Sequence, residues 1–111
     1  MTVTVKPLIA AKIAEASQTT QYTAVGVTAI IDKFTACNYS AVAATLSVNL
    51  VTAADTAGNQ NLIVKTKTLQ AGETYTFPEI VGQVLAVSGF ISTIAGTATS
   101  INIRASGREV S

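Results

Sequence analysis

Thr45-Leu46-Ser47-Val48-Asn49-Leu50-Val51 decides the fold class. Leu46, Val48 and Leu50 alternate with Thr45, Ser47 and Asn49. A period of two is the pattern of a strand with one face on a core and one in water. The reading therefore puts the three apolar side chains inside and Thr45, Ser47 and Asn49 in solvent.

Working outward, the same texture recurs. Val27 to Cys37 is rich in β-branched residues and reads as a strand. Its faces are Ile30, Asp32, Phe34 and Ala36 on one side, and Ala29, Ile31, Lys33 and Thr35 on the other, with Phe34 marking the core side. Thr20 to Ala24 is a strand before Gly26, and Asn38-Tyr39-Ser40-Ala41 supplies turn chemistry. Ala53 to Asn61 is small, polar and contains Gly58, so it is a loop. Its length suits a crossing between sheets or a partner contact. Leu62 to Leu69 is a strand that sets Lys65 and Lys67 on one face. Gln70 to Glu73 turns into a short strand, Thr74 to Phe77, which Pro78 stops. Pro78-Glu79 suits the start of a short helix through Leu85; Gly82 opposes it and leaves a strand from Gln83 to Val87 as the alternative. Phe90 to Ala95 and Thr99 to Ser106 read as a terminal hairpin around Gly96-Thr97-Ala98. At the other end, Val3 and Val5 alternate with Thr2 and Thr4 until Pro7 ends the run. Residues 8–16 fit a short helix or, by preference, a strand.

The sum is about seven or eight short antiparallel strands in one all-β domain, a β-sandwich of jelly-roll type. Residues 1–17 form an N-terminal arm, strand or short helix, and residues 18–111 form the sandwich. A chain of 111 residues has room for one domain. Hydrophobic residues make up 49% of it and charged ones 12%, with a mean hydropathy of +0.46. That is the opposite of a disordered composition. Such a surface calls for a covering partner, through homo-oligomerisation or assembly into something larger; the alternative is an unusually apolar monomer.

Chemistry is hard to find in these letters. The chain has no histidine, no tryptophan and one cysteine, so the usual proton carrier is missing. Glu15, Asp32, Asp55, Glu73, Glu79 and Glu109 form no spaced pair. Cys37 has no base beside it and reads as a buried, inert thiol. Zinc has no ligand set, and Asp55-Thr56-Ala57-Gly58-Asn59 is a thin version of a calcium loop. Gly72, Gly82, Gly89 and Gly96 are turn formers rather than a phosphate cradle. No enzyme and no cofactor is expected. A net charge of +1 lacks the basic concentration that nucleic acid or an anionic membrane requires, and no apolar run reaches a membrane span. The start, Met1 to Pro7, does not read as a secretory signal, so the expected origin is a cytoplasm, and Asn38-Tyr39-Ser40 is a sequon by coincidence. Lys65 and Lys67, with Arg104 and Arg108, form a basic patch for an acidic protein surface if their strands adjoin; otherwise they belong to ordinary solvated faces. Val3 and Val5 are candidate contacts for a neighbour's sheet edge.

Leu69-Gln70-Ala71-Gly72-Glu73-Thr74-Tyr75, Glu79-Ile80-Val81-Gly82-Gln83-Val84-Leu85, Gly89-Phe90-Ile91-Ser92 and Arg104-Ala105-Ser106-Gly107-Arg108-Glu109 together resemble small virion proteins of tailed bacteriophages. Thr20 to Ala24 and Ile30 to Thr35 look like the same group, so the resemblance spans residues 18–111. Its motifs are turn glycines and strand patterns, not reactive groups. The resemblance implies a capsid decoration or cement protein, made in a bacterial host's cytoplasm and carried on the virion. The resemblance also implies a homo-oligomer, a dimer or trimer, whose partner would be the major capsid protein or another virion protein. A head–tail or tail-fibre component, or a small carbohydrate-binding module using Tyr22, Tyr39 or Tyr75, are the alternatives.

Overall fold

Alternating β-branched and small polar residues build nine strands, and the computed structural model describes all residues, Met1–Ser111. They are β1 (Val3–Ile13), β2 (Thr19–Thr23), β3 (Thr28–Asn38), β4 (Ala44–Val51), β5 (Leu62–Leu69), β6 (Thr74–Thr76), β7 (Val84–Leu85), β8 (Phe90–Ala95) and β9 (Ile101–Val110). One sheet, here sheet A, has the order β1-β9-β3-β6, with β7 also on β3; the other, sheet B, has the order β2-β8-β4-β5. All pairings are antiparallel. Setting aside the two-residue β7, successive strands swap sheets at every connection but β4–β5. That wrapping is a jelly roll, the expected sandwich.

Between the sheets lie Ile31, Phe34, Leu46, Val48, Leu69, Phe77, Ile80, Ile91, Ile101 and Ile103, all fully buried. Phe34 and Phe77 meet edge to face at 5.2 Å, joining β3 to the segment after β6. At the strand end, Asn38 is buried: its amide donates to Val42 O at 2.8 Å and Leu69 O at 2.9 Å. The sequon asparagine is thus a structural bracket with no room for a glycan.

Several expectations change. Of the readings for residues 1–17 the strand holds: β1 pairs with β9 along its length, and Leu8, Ile9 and Ala14 are buried in the common core, so the segment belongs to the sandwich and is not a free arm. Pro7 does not end the strand. It sits on a sheet edge, where the missing N–H removes no ladder bond. Phe90–Ala95 and Thr99–Ser106 are not a hairpin, because β8 and β9 belong to different sheets. The 53–61 loop does not cross sheets; it joins β4 to its neighbour β5 and contains a short 3₁₀ turn, Asn59–Asn61. No helix follows Pro78: a turn leads through Gly82, whose φ is +85°, into β7.

The inside/outside assignments split at bulges. In β3 the pairing with β9 slips between Ile31 and Lys33, so Ala29 and Ile31 point inward before the slip, and Phe34 and Ala36 after it. Cys37 is consequently half-buried on the outer side, not in the core. In β5 the slip falls at Thr66, whose φ is +44° and whose N–H donates to Ser47 Oγ at 2.8 Å. In β4, Leu46 and Val48 are inside as read, but Leu50 is only half-buried and Ser47 and Asn49 are not in solvent. The 53–61 loop folds over their face, and Asn49 donates to Gly58 O at 3.0 Å and Asn61 Oδ1 at 2.8 Å.

Candidate interaction face

The outer face of sheet A gathers what the sequence scattered. Cross-strand partners in an antiparallel sheet share a face. Val5 opposes Arg108, Arg108 opposes Ile30, and Ile30 opposes Val84. One row thus runs across β1, β9, β3 and β7. Val3 and Val110 lie one row further out, and Pro7, Ser106 and Lys33 one row in. Arg104 follows, beside Thr35 and Thr76. Val5 is 78% exposed, Val84 58% and Val3 50%. These apolar side chains face water on the sheet with no cover from their own chain.

Electrostatics adds a sign. The slip in β3 frees Asp32 to reach Arg108, whose Nη2 and Nε donate to its carboxylate at 2.9 and 3.0 Å. This two-pronged pair keeps the guanidinium flat on the face, and the Asp32 carboxylate raises its pKa above an already high value. Arg104 and Lys33 have no ion-pair partner. The face therefore carries three cations against one carboxylate. A shallow hollow of about 360 Å³ lies among Asp32, Lys33, Thr76, Pro78 and Val81. An apolar cleft of about 300 Å³ opens beside Val84, with Leu50, Ile63 and Val87 in its walls.

The expected basic patch does not assemble as one. Arg104 and Arg108 share sheet A with Val3 and Val5, but β5 is an edge of sheet B. The bulge at Thr66 then separates Lys65 from Lys67. Lys65 lines the outer side of sheet B with Ser47 and Asn49, whereas Lys67 sets its ammonium 4.4 Å over the Tyr75 ring. Ile30, Lys33 and Val84 join the face without having been singled out. Their membership depends on non-local register, and the one local signal was the β-branched texture of β3.

Elsewhere the polar groups are occupied with one another. Asp55 accepts from Thr56 N–H, Gln60 and Asn61, and these donors hold its carboxyl below the usual range. No three His, Cys, Asp or Glu side chains lie close enough to share a metal ion. The tyrosines lie apart. Tyr22 donates to Glu109 at 2.5 Å, Tyr75 packs edge-on against Phe77, and Tyr39 stands alone at the surface.

No protein-family model, curated protein or solved structure matches this chain.

Proposed function

We propose that this chain is a non-enzymatic structural protein of a phage particle, a capsid decoration or cement protein that lies on the outer shell and strengthens contacts between capsid subunits. The observation that carries the reading is the outward-facing row Val5–Arg108–Ile30–Val84 with Arg104 and Lys33 beside it. An apolar, net-cationic sheet surface fits an acidic protein surface with apolar gaps, such as the major capsid protein or another virion protein would offer. Opposed potentials would set orientation, and the valines and isoleucine would supply buried area. The rigid two-sheet core beneath suits a part that bears load. The sequence resemblance to virion proteins of tailed phages supports the same reading. A head–tail or tail-fibre role uses the same face. A sugar-binding role is the weaker alternative, since the tyrosines form no shared platform.

An electron-microscopy map of the particle tests this. The expected result is many symmetry-related copies on the outer shell, with sheet A toward the capsid. Absence from the shell, a single ring at one vertex, or sheet A turned to solvent would each overturn the decoration reading.

A further inference from the structure

The sandwich exposes four sheet edges, and three are guarded. The β5 edge carries Lys65, Lys67 and the break at Thr66. The β2 edge is five residues long with a slip between Thr20 and Tyr22. The far side of sheet A ends in β6 and β7, of three and two residues. The first half of β1 has no such guard. Its register with β9 is unbroken from Val3 to Pro7. Thr2 and Ser111 exchange both backbone hydrogen bonds, at 3.0 and 2.9 Å. Antiparallel alternation then turns the backbone groups of Thr4 and Lys6 toward β9 and those of Val3 and Val5 outward. Pro7 has the outward parity too, but has no N–H to offer, so the free donors stop at Val5. Lys6, the one charge in this stretch, is matched by Glu109 at 3.5 Å.

We propose that this edge binds a second copy of the chain, β1 against β1, antiparallel about a two-fold axis at Thr4. Val3 then opposes Val5 of the second copy, and each outward valine N–H of both copies finds a carbonyl. A centre at Val5 would set Val3 against Pro7 and lose donors. A centre at Val3 would set Val5 against Met1. The centre at Thr4 spends the two outward valine donors on each other's carbonyls and gathers the four valines on one side. It also joins two five-stranded sheets edge to edge, so the cationic apolar faces become one continuous surface. The net-positive faces themselves would repel if stacked, which favours edge pairing over face pairing between copies. The contact is small beside the roughly 1,200 Å² of a standard stable interface. It is therefore weak in free solution and strengthened wherever copies are held side by side.

The register has a direct chemical test that needs no particle and so stands apart from the shell reading. Thr4 opposes Thr4 in a non-hydrogen-bonded pair, where Cα atoms approach to about 4.5 Å, within disulfide range. In a Cys37→Ser background at millimolar protein, Thr4→Cys is expected to form disulfide-linked dimer at least ten-fold faster than Val3→Cys, Val5→Cys or a distant Thr56→Cys control. Circular dichroism would confirm that each variant is folded. Thr4→Cys no faster than the Thr56→Cys control would overturn the dimer, and fastest linkage through Val3→Cys or Val5→Cys would overturn this register.

Discussion

Asn49 illustrates how a polar side chain on the nominally wet face of a strand becomes structural. It is 3% exposed, its amide nitrogen serves both Gly58 and Asn61, and its oxygen lies 3.4 Å from the Gln18 amide. Removing it leaves buried groups unpaired, so Asn49→Ala is expected to cost about 1–3 kcal/mol in denaturant unfolding. A solvent-facing asparagine would cost within about 0.5 kcal/mol. Tyr22 makes a second prediction. Its phenol is partly buried and donates to Glu109 across the sandwich, and burial first, then that carboxylate, push its pKa upward. A folded-state pKa above the unfolded 10.0 gives stability that is complete below pH 10 and is lost as pH rises above it. Unfolding midpoints of the native chain should therefore fall more steeply above pH 10 than those of Tyr22→Phe. Equal slopes would contradict this.

At the scale of elements, β1 is the segment whose role changed most. Leu8 and Ile9 are buried in the common core beneath β1, so Leu8→Ala is expected to destabilise the fold by about 2–4 kcal/mol; an appended arm would lose almost nothing. Gly107 on β9 makes the same point. A Cβ there would collide with Ile30 O and meet Leu8 Cδ1 at 2.8 Å, so Gly107→Ala should cost about 1–3 kcal/mol by overpacking. The strands themselves were largely legible. Leu62 to Leu69 is β5 residue for residue, and Phe90 to Ala95 is β8. What the letters hid was pairing. Nothing in Ile31-Asp32-Lys33 announces an extra residue, because the slip exists only relative to Gly107 and Ser106. A face assignment carried across a bulge inverts: Phe34 and Ala36 are inside as read, whereas Ala29 and Ile31, on the other side of the slip, are inside where Ile30 was expected. The supposed β8–β9 hairpin failed for a related reason: adjacency in sequence suggests pairing, whereas a jelly roll sends that connection across to the other sheet.

For the whole molecule, exposed apolar side chains are scattered, Val25 and Val42 on loops among them, but only on sheet A do Val3, Val5 and Val84 share a strand face with unpaired cations. Val3, Val5, Arg104 and Arg108 were legible as outward-facing residues from the alternation along their own strands. Ile30, Lys33 and Val84 were not, since only the order β1-β9-β3, with β7 beyond, sets them alongside. Lys65 and Lys67 were drawn into the same patch by composition and separated from it by topology. The outer face of sheet A is the contact surface we propose. Under the proposed decoration role, co-sedimentation with phage shells assembled without this protein, at fixed salt, is the measurement that decides it. Arg104→Glu combined with Lys33→Glu is expected to weaken binding by about ten-fold or more, equivalent to about 1.4 kcal/mol, while Lys65→Glu on the opposite sheet changes it less than about two-fold. Undiminished binding of the double variant, or a larger loss from Lys65→Glu, would contradict the claim.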